Sequence, residues 1–170
     1  MTRAKSFEYP ELTTERLKLK LLTLQDAEEI LWHFADEDIT RFMDIEPITS
    51  LEEAREIIRY HLEDTGCRWG IYDPASQSFM GTCGFHYIRN SGERWSAEIG
   101  FDLAKKFWGK GYMSEAVNAA LGFGFETMKL DVIDATVEPE NSKSLRLLEK
   151  LGFMREQELQ KGLVYFYKYR

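Results

Sequence analysis

A chain of 170 residues holds one domain with a sizeable core and falls short of two domains of ordinary size, so residues 1–170 read as a single domain. Its composition, 44% hydrophobic and 30% charged, is that of a globule, and a formal charge of −7 argues against a nucleic-acid or anionic-membrane binder, which needs a basic surface. Every apolar run is shorter than the ~20 residues that span a bilayer, and the first residues lack a signal peptide's apolar core; a cytoplasmic location is expected.

Leu17, Leu19 and Leu21 alternate with Lys18 and Lys20, which predicts a half-buried strand over 16–22. Thr23 and Asp26 read as a capping box with the shorter Asp in the Glu position, followed by Ala27, Ile30, Leu31 and Phe34 at helical spacing. Asp36-Glu37-Asp38 is expected to end that helix and open a connection to Pro47. Ser50 and Glu53 cap a second helix, with Leu51, Ala54, Ile58 and Leu62 as its buried stripe. Three strands follow as a meander over 68–72, 79–88 and 94–103. In the third, alternation puts Trp95, Ala97, Ile99, Phe101 and Leu103 on one side and Glu98 and Asp102 on the other. Cys67 and Cys83 fall in neighbouring strands, where they could face each other; a reducing compartment makes them packing residues rather than a disulfide. His33, His61 and His86 show no ligand spacing, so no metal site is expected.

The strand that carries Glu98 runs into a turn, Lys105-Lys106-Phe107-Trp108-Gly109-Lys110-Gly111-Tyr112-Met113, and then directly into a helix. Two glycines let backbone N–H groups point outward, and the first N–H groups of a helix have no partner within it, so the junction suits a phosphate. A tight turn with no ligand would use the same glycines. Ser114 replaces the third glycine of a dinucleotide loop and Gly111 replaces the Ser/Thr of a P-loop, so neither nucleotide fingerprint fits. Met113, Ala116, Val117, Ala120, Leu121 and Phe125 give the following helix its apolar stripe, while Gly122 and Gly124 suggest close packing. A strand over 130–137, a helix from Asn141 to a left-handed cap at Gly152, and two strands around Gln160-Lys161-Gly162 complete the chain.

Lys106-Phe107-Trp108-Gly109-Lys110-Gly111 resembles the acyl-CoA loop of the Gcn5-related N-acetyltransferases, with lysine in place of the usual leading Gln or Arg. Thr14-Glu15-Arg16-Leu17, Ala97-Glu98-Ile99-Gly100-Phe101, Asn141-x-x-Ser144 and Leu151-Gly152-Phe153 extend the resemblance over nearly the whole chain. They are similar to the branch that acetylates the N-termini of ribosomal proteins. The resemblance implies an α/β fold with a mixed, mostly antiparallel sheet, splayed at a cofactor cleft and flanked by about four helices. It implies acetyl-CoA as cosubstrate, with pantetheine pairing to the backbone of Phe101 and Leu103. Pyrophosphate would rest on N–H groups of Trp108, Gly109, Lys110, Gly111, Tyr112 and Met113, and Lys106 or Lys110 would reach the 3′-phosphate. Asn141, otherwise a helix cap, would bond pantetheine. Ser144 would donate to the departing thiolate, and Glu98, otherwise a surface-facing carboxylate, would act as base, with Asp102 in reserve. The implied acceptor is a protein N-terminus, with polyamines or other small amines as alternatives; a non-catalytic acyl-CoA-binding module, and either a monomer or a homodimer, remain open.

Overall fold

A computed structural model describes residues 7–170. An eight-stranded sheet forms the frame: β1 (Leu12–Thr13), β2 (Lys18–Leu21), β3 (Cys67–Tyr72), β4 (Phe79–Ser91), β5 (Arg94–Leu103), β6 (Val132–Val137), β7 (Met154–Arg155) and β8 (Val164–Tyr169). Their order is β1-β2-β3-β4-β5-β6-β8-β7. All neighbours are antiparallel except β5 and β6. The helices are α1 (Ala27–Phe34), α2 (Glu37–Thr40), α3 (Leu51–Glu63), α4 (Tyr112–Gly122) and α5 (Ser142–Lys150).

Local signals placed the helix starts correctly. Thr23 and Asp26 form their capping box on a short 3-10 turn that feeds α1, and Ser50 and Glu53 form another at the start of α3. The acidic run after α1 departs from expectation: Asp36 accepts from the Asp38 N–H and thereby starts α2. Leu62 is also not part of the α3 stripe. It is 54% exposed, and His61, three residues after buried Ile58, turns inward in its place.

Both faces of the sheet are covered, which leaves every residue of β3 buried. One side packs Trp69, Phe85, Ile99 and Ile133 against Ala116, Val117 and Ala120 of α4. There Gly124, in a π-helical turn after α4, comes so close to the sheet that a Cβ would lie 2.8 Å from Ile133 and 2.9 Å from Phe85. On the other side α1, α2 and α3 bring Ile30, Phe34, Ile39, Ala54 and Ile58 onto Leu22. The two cysteines are buried and free; Cys67 lies opposite Phe85 and Cys83 opposite Trp69, so they are diagonal rather than face to face. No described helix is long and apolar enough to cross a membrane.

Two irregularities shape the region between β4, β5 and β6. The register of β5 against β4 is unbroken from Glu98 to Leu103, so the alternation along β5 holds and no extra residue lies there. The extra residue sits instead in β4, where pairing shifts between His86 and Arg89 and Tyr87 adopts φ +49°. Second, β5 and β6 pair only from Ser96–Val132 to Glu98–Asp134, and from there they diverge. That divergence leaves the backbone of residues 99–103 without a strand on the β6 side.

Candidate active site

The glycine turn after β5 is held from three sides. Gly109 and Gly111 have φ of +74° and +80°, values that only glycine adopts without strain, and a Cβ on Gly109 would project into open space. Arg16, two residues before β2, reaches across to it: its Nη1 donates to the Lys110 carbonyl at 3.0 Å and its Nε to Glu115 of α4 at 2.7 Å. Its guanidinium also covers the Tyr112 ring at 4.4 Å. Thr14 completes the latch with a 2.6 Å bond to Glu115. Burial pushes the Glu115 carboxyl up, but the donors from Thr14 and Arg16 outweigh it and hold the group low. On the opposite flank Lys143 of α5 rests its Nζ 3.3 Å from the centre of the Trp108 ring, so the turn and α5 meet across the gap between β5 and β6.

Trp108 also donates its indole N–H to the Leu103 carbonyl at 2.7 Å. That bond takes one of the two lone pairs of the Leu103 oxygen, on the same strand edge as the Phe101 backbone. Lys106 lies over the Phe107 ring at 5.0 Å, and Lys105 pairs with Asp38 of α2 at 2.9 Å. Asn141 caps α5 through its side-chain oxygen, accepting from the Ser144 N–H at 3.3 Å. Its amide NH2 remains as a donor at the same helix start, beside the half-buried Ser144.

Glu98 stands where β5 and β6 part. Burial pushes its carboxyl above the ordinary value, the neighbouring Asp134 charge adds to that push, and Arg89 and the Thr136 hydroxyl oppose it. A carboxyl raised in this way holds protons more tightly and is a stronger base. Asp102, two turns of the pleat further on, has a different fate. His33 of α1 lies 2.5 Å from its Oδ1, while Arg68 of β3 and Thr82 of β4 bond its Oδ2 at 2.8 and 2.7 Å. Burial alone would push this carboxyl up, but His33, Arg68 and Thr82 outweigh it and hold it far below the usual carboxylate range. Asp102 is thus a permanently charged structural anion with its donors in place.

The three histidines, scattered in the sequence, come together around this anion. Arg68 donates to His86 Nε2 at 2.9 Å, and the His61 and His86 rings lie 5.4 Å apart. Since an arginine only donates, His86 carries its proton on Nδ1, which faces Asp64 at 3.8 Å. Gly100 makes room for the group: a Cβ there would sit 2.8 Å from Arg68 and 3.3 Å from His86. Nothing in the sequence signals this cluster, because Arg68 and Asp102 are 34 residues apart and His33 and Asp102 are 69 apart. Arg89, Asp134 and Tyr165 are likewise united only by the sheet.

The sheet thus splays beside a glycine turn at a helix start, with a carboxyl pushed up by burial at the fork. Known proteins share this sequence pattern and frame. The family model described as Acetyltransferase (GNAT) domain matches residues 16–154, and the chain belongs to that family. It is 40% identical over 149 residues to the uncharacterized N-acetyltransferase p20 of Bacillus licheniformis, covering 85% of this chain and 83% of that one. To the ribosomal protein uS5-alanine N-acetyltransferase of Escherichia coli it is 27% identical over 157 residues, covering 85% and 78%. Among solved structures, spermidine N-acetyltransferase of Vibrio cholerae with CoA and spermine superposes with a TM-score of 0.79 at 26% identity, over 92% of this chain and 96% of that one. The protein is an acetyltransferase of the GNAT type.

Proposed function

We propose that residues 1–170 form one N-acetyltransferase domain that moves an acetyl group from acetyl-CoA to the α-amine of a protein or peptide N-terminus, by direct attack in a ternary complex. The observation that carries this reading is the place of Glu98, half-buried at the last paired position before β5 and β6 part. The residues present fit CoA: two left-handed glycines open a cradle, the first N–H groups of α4 line it, and Phe101 offers an unpaired backbone edge. Lys106 and Lys110 supply positive charge near the phosphates, and Asn141 keeps its amide for the pantetheine arm.

An ammonium must lose a proton before its nitrogen can attack a thioester carbonyl. Glu98 takes that proton, directly or through a water, as the C–N bond forms and the C–S bond breaks. Ser144 donates a hydrogen bond to the departing thiolate, which leaves as CoA thiol once protonated. Asp102 is fully engaged by its donors and does not serve as the base. Glu98→Gln keeps shape and removes basicity, so turnover at pH 7 should fall by roughly 10²–10⁴ with CoA affinity little changed, and the loss should shrink at high pH. Wild-type turnover in that variant would remove Glu98 from the mechanism.

An α-amine with pKa ~8 is neutral far more often at pH 7 than a lysine at ~10.4, which suits a carboxylate base. Two of the acidic residues in the 36–46 connection are also occupied, Asp36 as the α2 cap and Asp38 by Lys105, which weakens that stretch as a polycation site. Thiol release should therefore be faster with a free-N-terminus peptide than with an N-blocked lysine peptide or spermidine. Mass spectrometry that placed the acetyl group preferentially on lysine or polyamine nitrogens would overturn the acceptor assignment.

A further inference from the structure

β6 reads Val132-Ile133-Asp134-Ala135-Thr136-Val137, and its middle carboxylate is only 2% exposed. Asp134 is the parallel register partner of Glu98, so the two carboxylates stand side by side on one face, at the last paired position before β5 and β6 separate. One oxygen of Asp134 takes both donors: Arg89 and the Tyr165 hydroxyl, the latter at 2.6 Å. The other oxygen is buried with no hydrogen-bond partner among the described residues. Burying a carboxylate half-satisfied beside a second carboxylate is unfavourable, and a chain that needed only a stable sheet would be served as well by an apolar residue there.

Arg89 reaches this position because of the extra residue in β4. With Tyr87 in a left-handed conformation, Arg89 lies opposite Ser96 on the same face as His86 and Glu98, and its side chain passes over β5 to β6. The charged and titratable groups facing Glu98 are then His86 and Arg89 from β4 and Asp134 from β6. Behind Asp134 stands Tyr165 of β8; behind His86 stand Arg68 of β3 and His61 of α3. Tyr165 keeps its proton, since burial and Asp134 push its hydroxyl up, and so it serves as a donor to Asp134.

We infer that Asp134 is a positioning residue acting through Glu98: as the register partner of Glu98 at the fork it places a second carboxyl beside the first, and Arg89, bonded to Asp134 on the same face, tempers its effect. The two act in opposite directions on one carboxyl. Its catalytic meaning rests on the reading of Glu98 as the base, but its test does not.

The test is a carbon-detected NMR titration of Glu98 in protein labelled at glutamate side-chain carboxyls, with the resonance assigned by Glu98→Gln. In Asp134→Asn the Glu98 midpoint should fall by about half a pH unit or more, and in Arg89→Gln it should rise. The acid limb of kcat/KM against pH should move the same way in each variant. A merely structural Asp134 would lower activity while leaving both midpoint and limb in place, and that result overturns the inference. If Asp134→Asn does not fold, Asp134→Ser, which also removes the carboxylate, takes its place: a fall of the Glu98 midpoint supports the inference, no shift or a rise ends it. Retained turnover in Glu98→Gln would instead reject the base while leaving the titration result to stand.

Discussion

Asp102 shows how differently two carboxylates of one strand face can be used. Alternation along β5 correctly puts it with Glu98 on the side opposite Ile99, and on that ground alone it is a spare base. What covers that side is invisible locally, because Arg68 and His33 arrive from β3 and α1. The Arg68–Asp102 pair is almost wholly buried, with side chains 7% and 6% exposed. Breaking a buried pair leaves an uncompensated charge, so Asp102→Asn should destabilise the fold by ~3–5 kcal/mol in denaturant unfolding. Thr82→Val, which removes one donor to the same carboxylate, should lose only about 1–3 kcal/mol. Equal losses would mean that the hydroxyl and the guanidinium matter alike.

At the scale of elements, the features governed by neighbouring residues were legible and those governed by distant ones were not. The boxes at Thr23 and Ser50, the Asn141 cap and the left-handed Gly152 are decided within four residues. The glycine turn is equally local, and its consequence can be measured. Valine at 111 would have to adopt φ +80°, which a β-branched residue takes up only with strain, and relief of that strain distorts the backbone cradle. Gly111→Val should weaken CoA binding at least tenfold by calorimetry, with the circular-dichroism spectrum of the fold retained; unchanged affinity in a folded variant would move the phosphates elsewhere. By contrast, the short helix α2, the inward turn of His61 and the extra residue at Tyr87 depend on what packs above them. The β4 irregularity has no composition signal at all, and yet it decides which side of the sheet Arg89 occupies.

Across the whole molecule the histidine cluster ties stability to pH. Burial, then the Arg68 charge, push His61 down to about 3 and His86 down to about 4, so both rings are neutral in the folded protein near pH 7. In the unfolded chain each binds a proton near pH 6.5, so the unfolded state holds more protons below that value. Their contribution is complete above about pH 6.5 and is lost as pH falls toward about 4 for His86 and about 3 for His61, at no more than about 1.4 kcal/mol per pH unit for each ring. His61→Phe, which also removes a buried nitrogen lacking a hydrogen-bond partner, should flatten the acid limb of the unfolding midpoint against pH; an unaltered slope would place the acid sensitivity in other groups. A different long-range tie joins the segment before β2 to the glycine turn, since Arg16 holds the Lys110 carbonyl and Glu115. Linkage is reciprocal, so a ligand that steadies the turn must also steady Arg16. Trypsin cuts after arginine, and scission at Arg16 should slow when CoA is added, which makes protease resistance near the start of the chain a reporter of occupancy nearly a hundred residues away.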